Sequence, residues 1–266
     1  MAPRKLLSAL LLLILGSCSK DDPAPEQQDQ IPDPLSCVLK TYGNSERLAI
    51  VTIDRNDDGD VVKVAGGPYD SRDELTYAGE RIIKVTRYLP PTQIKIIDFA
   101  YDDSGQIKTT RIYPQGKPEL GNQTNFTFDE NGKLAKKEFL TVGILEFTIR
   151  YEYEGDNVSK IYFRYRSDPE DIAVENLTFD KHKRFFANDN SLTSYFIYVM
   201  GIEPSTNNVK HSKVSQSSFY SAYPQAADVM FDIQYDSEGN VKYYDDSISG
   251  TTDQEYYFYN AGYDCK

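Results

Sequence analysis

The residues best suited to chemistry form one short acidic segment in which oxygen-bearing side chains alternate. Asp54, Asn56 and Asp58 match positions 1, 3 and 5 of a calcium-binding loop, Gly59 matches position 6, and the backbone of Asp60 offers a further oxygen. Such loops bind calcium because several oxygens converge at about 2.3–2.6 Å from the ion. Position 12 is an alanine instead of the usual glutamate, and the flanking residues have strand patterns. We therefore interpret the segment as a hairpin turn, with a calcium site as the alternative.

The rest of the chain offers no recognisable catalytic group. Its two histidines, His182 and His211, have no companions at the spacing of metal ligands or of a nucleophile and its base. Adjacent acids such as Glu170-Asp171 could serve glycosidase chemistry, which uses two carboxyl groups. The chain has 41 acidic residues, however, so chance pairs are unavoidable. We therefore expect a protein that is not an enzyme and that needs no cofactor.

A repeated pattern sets the position of every other element. Each copy has two apolar or aromatic residues at i and i+2, an acid or small residue, a polar turn that usually contains glycine, and an aliphatic residue that opens a second alternating run. Regular spacing of this size is typical of a repeated supersecondary element. The equivalent positions are Ile53, Tyr77, Tyr101, Phe128, Tyr153, Phe179 and Tyr235, which lie 24 to 27 residues apart except for a last interval of 56.

The element that repeats is a β-hairpin. Phe147, Ile149 and Tyr151 fall on one face of a strand, while Thr148 and Arg150 fall on the other. Glycine follows in the turn, where a residue with positive φ is needed before the return strand. Successive hairpins predict an all-β antiparallel meander of about eight hairpins, strongly curved or closed into a barrel-like sheet. The pattern fails over 188–204 and 215–225, where we expect a short helix or a long loop folded over one end of the sheet.

The polar face of this sheet argues against a barrel that crosses a membrane. Strands that face lipid need an apolar outer band about 25 Å tall. We assign Lys95, Lys108, Arg111, Lys137 and Arg150 to a water-soluble outer face.

The first residues have the order of a secretory signal. Arg4 and Lys5 precede an apolar run over 6–15, and small residues lead to Cys18. The run is too short to cross a bilayer as a helix, which needs roughly 20 residues. This order resembles the lipobox of bacterial lipoproteins, which implies a signal peptide over 1–17 and a lipid attached to Cys18. An ordinary signal peptide that happens to contain a cysteine is the alternative.

The segment behind Cys18 predicts where the protein is exposed. The acids Asp21 and Asp22 resemble the export signal of Bacteroidetes-type surface lipoproteins, which implies the outer face of the outer membrane, with a periplasm-facing anchor as the alternative. Residues 18–35, rich in proline and acids, predict a disordered tether. Residues 36–266 carry nearly all of the aromatic residues and predict one folded domain.

Two further cysteines stand near the two ends of that domain. Cys37 and Cys265 could form a disulfide in an oxidising compartment. In the chain-entropy model such a bridge contributes about 5 kcal/mol of stability. Two unpaired thiols are the alternative.

The hairpin array as a whole resembles the YD-repeat-like lipoproteins of Bacteroidetes, a family of unknown function with a porin-like fold. The resemblance covers about residues 48–262 and rests on the aromatic-x-aromatic-acid-x-x-Gly units and on the irregular insert before Asn207. It implies a strongly curved or closed meander and no known activity.

Charge and aromatic content limit the partners. The whole chain has a net charge of -12, and its basic residues are scattered singly among acids, which argues against nucleic acid. We expect a lipid-anchored domain that binds an extracellular glycan or peptide through residues not identified by the sequence; a structural or accessory subunit of an outer-membrane complex is the alternative. Binding predicts an exposed cluster of later tyrosines, unless these rings serve as cross-strand pairs. The tyrosines concerned are Tyr162, Tyr243, Tyr244, Tyr256, Tyr257 and Tyr259.

Overall fold

A computed structural model describes residues 37–44, 49–67, 70–184, 186, 189–215, 227–237, 239–248 and 259–265. The chain divides into two units, 1–32 and 33–266, and only the second contains described residues. The predicted signal peptide, Cys18 and the tether lie outside the described residues, as do Tyr256 and Tyr257.

The described part of the chain contains sixteen β-strands. They are β1 (Cys37–Asn44), β2 (Ala49–Arg55), β3 (Val61–Gly66), β4 (Ser71–Ala78), β5 (Arg81–Leu89), β6 (Gln93–Tyr101), β7 (Ile107–Pro114), β8 (Asn122–Phe128), β9 (Leu134–Thr141), β10 (Ile144–Glu154), β11 (Asn157–Tyr165), β12 (Asp171–Lys183), β13 (Asn207–Val214), β14 (Ala227–Tyr235), β15 (Val241–Ile248) and β16 (Tyr259–Cys265). A 3-10 helix covers Pro118–Leu120 between β7 and β8. The insert between β12 and β13 holds helix α1 (Asn190–Ser194) and a π-helical turn, Tyr195–Val199.

Each strand pairs antiparallel with the next, and β16 pairs with β1, so that the sheet closes into a barrel. The prediction of an all-β meander of about eight hairpins with one short helix is confirmed. We call the end where β1 begins and β16 ends the insert end, because the insert 184–206 also starts there. The distal end carries the opposite set of connections, among them 115–121, 142–143 and 166–170.

At the insert end, the repeated tyrosine donates a hydrogen bond to a backbone carbonyl that has no strand partner. Strands joined at the distal end stop pairing before they reach the insert end, as where β5 and β6 part after Lys84 and Asp98. A carbonyl left without a strand partner needs another donor. The hydroxyl of Tyr101 donates to the Ile82 carbonyl at 2.7 Å, and that of Tyr153 donates to the Leu134 carbonyl at 2.8 Å. Tyr77 and Tyr263 bind the Val61 and Val241 carbonyls in the same way.

Alternation along each strand separates the inside of the barrel from the outside. In β4, Leu75 and Asp73 are buried, whereas Arg72 and Thr76 are exposed. Most inward side chains are aliphatic or aromatic, and they form one continuous core with the insert. The inside of the barrel is therefore mainly apolar, whereas the outer face carries charged residues together with some exposed apolar ones such as Ile83 and Met230.

The insert enters the barrel and fills part of it. Asp189 begins α1 by accepting a hydrogen bond from the Leu192 backbone N–H at 2.9 Å, a standard N-cap. Beyond α1, the ring of Phe196 packs edge-on against Tyr42 at 5.3 Å between centroids, and that of Tyr198 packs against Phe126 at 5.2 Å. The expectation that the insert folds over one end of the sheet is corrected, because its apolar side chains lie within the core.

The closing strands place the two cysteines opposite each other. Cys37 and Cys265 are direct partners in the antiparallel register of β1 and β16. Direct partners have Cα atoms about 4.5–5.5 Å apart, inside the range of about 4.4–6.8 Å that a disulfide requires. The backbone therefore satisfies the distance condition for the bridge, which stays a prediction.

We predict that Cys37 and Cys265 form a disulfide across the β1–β16 seam. Under denaturing conditions without reductant, neither thiol should react with a maleimide, and both should react after reduction. Cys265→Ser should lower the free energy of unfolding by at most about 5 kcal/mol, since the bridge closes nearly the whole domain. The double variant Cys37→Ser/Cys265→Ser is the control for lone-thiol effects. Full labelling of the unreduced protein would contradict the prediction.

Candidate functional site

Polar contacts attach the insert to the barrel wall at several places, among them an Arg55–Asp189 ion pair at 2.6 Å. The first of the buried contacts is on β4 and β5. The Asp73 carboxylate faces inward and is almost fully buried. Arg87 donates to it through Nε at 2.9 Å and through Nη2 at 2.6 Å, and the Tyr195 hydroxyl donates to it at 2.8 Å. Burial and the neighbouring Asp73 charge hold the pKa of Tyr195 well above its ordinary value. Tyr195 is therefore a permanent donor that joins the insert to this ion pair.

The second contact comes from β9. Lys137 is only 6% exposed and donates from Nζ to the Ile197 carbonyl at 3.0 Å. Its ammonium also lies 5.6 Å from the centre of the Tyr151 ring. Burial lowers the pKa of Lys137 to about 8, although the charge of Glu203 opposes the shift. A buried lysine thus binds a backbone carbonyl that the π-helical turn leaves available.

The third contact joins the end of the insert to β11 and β12. Asn176 donates from Nδ2 to the Val158 carbonyl at 2.7 Å and to Glu203 at 3.0 Å. Arg184 donates to the Glu203 carbonyl at 2.8 Å and pairs with its carboxylate. The Ser205 hydroxyl accepts from the Val158 N–H at 2.9 Å. Asn176 thus donates to a carbonyl at the start of β11. Tyrosine hydroxyls donate to the equivalent carbonyls at the start of β3, β5, β9 and β15.

Beyond the insert, the distal half of the barrel presents an aromatic wall to the interior. Phe139 and Phe147 are direct strand partners with parallel rings 4.7 Å apart. Phe163 lies 5.6 Å from Phe147. Phe139 and Phe147 face inward but are only half-buried. Because their strands face a closed barrel, this exposure is towards the interior and the distal opening.

The outer face carries a network of paired charges. Arg150 binds Glu152 and Glu170, each at 2.8 Å, and its guanidinium lies 3.7 Å from the centre of the Tyr162 ring. On β9, the strand next to that of Arg150, Lys136 pairs with Glu138. Such exposed pairs add little stability.

The predicted calcium segment forms the turn between β2 and β3. Asp54 points outward and binds Lys63 at 2.7 Å, and the Asn56 side chain accepts from the Asp60 N–H at 2.8 Å. Asp58 is exposed in the turn. Among the described residues, no group of three or more His, Cys, Asp and Glu side chains is placed to hold a metal ion.

The two histidines take part in local packing, and so does Tyr162, the one tyrosine of the predicted binding cluster whose side chain is described. His182 stacks on the Tyr235 ring at 3.9 Å between centroids, and His211 contacts Asp228. One face of Tyr162 is covered by the Arg150 guanidinium, and its hydroxyl donates to Glu152 at 2.9 Å. Tyr162 is therefore a packed residue of the outer face. For Tyr243, Tyr244 and Tyr259 only strand positions in β15 and β16 are described.

Sequence reasoning assigned Lys137 to the outer face, and the structure corrects this. A β-bulge opposite Phe128 adds one residue to β9 after Leu134, so the alternation is inverted from that point. Lys95 is also inward, because it pairs with the inward Arg87. Asp73 and Arg87 were not singled out at all. Their sequence signal is a charge that shares a strand face with apolar neighbours.

Comparisons with known proteins point to the fold. One solved structure, a porin-like protein from Bacteroides uniformis ATCC 8492, matches with a TM-score of 0.51 and 12% identity over 88% of this chain and 99% of that one. The chain shares that barrel fold. A porin-like protein from Bacteroides vulgatus ATCC 8482 gives a TM-score of 0.49 and 11% identity over 85% and 99% of the two chains. A family model described only as an uncharacterised protein matches residues 71–195, and no curated protein matches.

In the described part of the chain, no helix is both apolar and long enough to cross a bilayer.

We predict that Lys137 makes stability rise with pH in the mildly alkaline range. Its pKa falls from 10.5 to about 8 on folding, so between these values the unfolded chain binds one more proton than the folded chain, and the free energy of unfolding increases with pH. Relative to Lys137→Met, the wild type should gain about 2 kcal/mol between pH 7.5 and 9.5. Denaturant unfolding at both pH values measures this.

The matched control is Lys136→Met, one residue away on the outer face. It should follow the wild type over the same pH range, because the buried lysine is kept. Tyrosine titration is common to all three proteins and cancels in the comparison. A pH response of Lys137→Met equal to that of the wild type would show that the buried ammonium is not the cause.

Proposed function

We propose that this chain is a lipoprotein of the outer membrane, anchored through Cys18, that presents its barrel at the cell surface as a non-catalytic binding domain for an extracellular glycan or peptide. The observation that carries the proposal is the polarity of the barrel. Its outer face is a network of ion pairs such as Arg150–Glu152–Glu170, and its interior is an apolar core built around the insert. Such a barrel is stable in water and needs a separate attachment to stay at a membrane.

The fold comparison supports an envelope location for the same protein. The matching structure is named a porin-like protein from a Bacteroides species, and the lipobox-like segment before Cys18 is typical of proteins exported to the envelope. Cys37 begins β1 at the insert end, so a tether from Cys18 joins the barrel there. The distal end is the end of the barrel that the tether does not join.

The binding surface is best sought at the distal end. There the half-buried rings of Phe139 and Phe147 face the interior, and Tyr165 continues the aromatic wall to the rim. Pockets for ligands combine apolar walls with a few polar groups, and Asn122 and Thr124 lie on the same inward face of the neighbouring strand.

An accessory subunit of an outer-membrane complex is the second candidate. Near the insert, Leu192, Phe196 and Ile197 are buried in the barrel, and Met200 is an exposed apolar residue of the described part. The most exposed aliphatic residues lie at the distal rim, at Val142 and Ile144. They favour docking to another protein.

We predict that Cys18→Ser releases the protein from membranes. Without the thiol no lipid can be attached, and the polar outer face offers no other hold on the bilayer. Fractionation of cells followed by immunoblotting measures the change. Cys37→Ser is the matched cysteine control and should stay in the membrane fraction. Retention of Cys18→Ser after a carbonate wash would contradict the anchor.

We predict that a specific ligand raises the unfolding temperature of the anchored protein. At 100 times its dissociation constant, a ligand adds about 2.7 kcal/mol to the free energy of unfolding, which corresponds to about 5–10 °C for a domain of this size. The probes are a panel of surface and dietary polysaccharides and a panel of synthetic peptides. A shift with one panel member identifies the ligand class. No shift with any member would favour the accessory-subunit alternative.

A further inference from the structure

The connection between β9 and β10 holds a valine where the backbone disfavours it. Val142 has φ +49° and Gly143 has φ +80°, so the two residues form a type I′ turn, for which Asn-Gly is the preferred sequence. A β-branched residue in the left-handed region is a conformational outlier, and such outliers concentrate at functional sites. The Val142 side chain is 65% exposed. Packing within the barrel therefore does not explain the choice of valine.

Val142 belongs to a group of exposed apolar side chains that we call the distal rim patch. Ile144 is 64% exposed, Leu120 54% and Tyr165 41%. Thr141, just before Val142, pairs with Asn122, just after Leu120 and Gly121. On the other side, the backbone that follows Tyr165 binds the Glu146 carbonyl at 2.8 Å. Three neighbouring connections thus bring their apolar residues to one arc of the rim.

The distal rim patch continues into the barrel. Tyr165 is the direct strand partner of Phe147, and Phe147 stacks on Phe139. An apolar surface therefore runs from the exposed turn tips to the inward aromatic wall. Its shape suits an extended ligand with apolar groups along its length.

Charge and position restrict what this patch can bind. Arg166, beside Tyr165, is neutralised by Glu146 at 2.9 Å, so the patch itself is close to neutral. The chain as a whole carries a net charge of -12. A second copy would have to bring two strongly acidic molecules together, which their repulsion opposes. A neutral or positively charged partner meets no such barrier.

Two other occupants fit less well. Glycans are bound through several hydrogen-bonding groups, whereas Leu120, Val142 and Ile144 offer none from their side chains. A bilayer surface is bound through a cluster of basic side chains beside the apolar ones, whereas Arg166 at this rim is paired with Glu146. Buried aliphatic and aromatic side chains are the usual centre of polypeptide interfaces.

We propose that the distal rim patch binds a polypeptide segment that carries aliphatic or aromatic side chains and a neutral or positive charge. The proposal rests on the proposed binding function and names its ligand class. Val142 is then kept in an unfavourable backbone conformation because it contacts the partner. Replacing Val142 should raise the unfolding temperature of the barrel and weaken binding of the partner at the same time.

The test uses the mature lipidated protein in phosphatidylcholine vesicles, panned against a displayed library of random 12-residue peptides. Selected peptides should be rich in aliphatic or aromatic residues and should bind at least 10-fold more weakly to Val142→Asn and to Ile144→Thr, as measured by fluorescence anisotropy. Ile83→Thr is the matched control, because Ile83 is also exposed but lies at the insert end. It should leave the affinity unchanged. Val142→Asn should also raise the unfolding temperature by a few degrees.

Several results would overturn the proposal. These are equal binding to the rim variants and to the wild type, selection of polar or acidic peptides only, no binding above that of protein-free vesicles, or a lower unfolding temperature for Val142→Asn. A polysaccharide-induced shift that the rim variants abolish would assign the patch to a glycan, and the proposed function would stand without this inference. Failure of the Cys18 anchor test would instead remove the proposed function, and peptide binding to the rim would be unaffected.

Discussion

A closed barrel as wide as this one encloses more space than its own side chains can fill, and the rest of the structure depends on that constraint. Barrels of about eight strands are filled by inward side chains, whereas barrels of sixteen leave a channel. The described strands number sixteen, and the insert supplies the missing volume. Its most buried residues, Leu192 and Phe196, complete a core that the strands alone could not form.

Filling a barrel with a peptide segment creates a second difficulty, because backbone polar groups enter an apolar space. A buried N–H or C=O without a partner is costly. Charged and amide side chains of the barrel wall point inward at the depth where the segment lies, and they bind its polar groups. Lys137 binds the Ile197 carbonyl, and Tyr195 binds the Asp73–Arg87 pair. Buried ion pairs add little net stability, but they fix which arrangement is adopted, so these contacts position the insert more than they strengthen it.

The sequence predicts the hairpins well because the same physical requirement recurs in each of them. A bulged strand and a departing neighbour leave one carbonyl at the insert end, and the hydroxyl of a tyrosine at the end of the preceding strand, directly before the turn, donates to it. Tyr77 and Tyr101 therefore stand one repeat apart and Tyr101 and Tyr153 two repeats apart, at intervals of 24 and 52 residues, and this spacing shows in the sequence. A period of this kind, with two-residue alternation around it, is sufficient to predict the meander and its approximate number of hairpins.

The same sequence could not predict what the barrel contains. A single extra residue in a bulge moves every later side chain to the opposite face, so Lys137 was placed outside although it lies inside. The insert is dense in aromatic residues, which fits a surface loop as well as a core segment until the width of the barrel is known. Asp73 was overlooked because 41 acids give no reason to single out one of them. Cys37 and Cys265 could be proposed as partners, but their register needed the closed sheet.

The two ends of the barrel differ in a way that follows from where the insert lies. At the insert end, tyrosine hydroxyls, Asn176 and Ser205 satisfy the backbone, and aliphatic residues such as Val61 and Val158 are fully buried. At the distal end, non-glycine residues with positive φ occur at Asp70, Val142 and Arg166, which are the described positions of this kind. One end is thus optimised for stability, and the other retains conformations that stability alone would remove. That asymmetry is expected when one end of a domain holds the fold and the other end meets a partner.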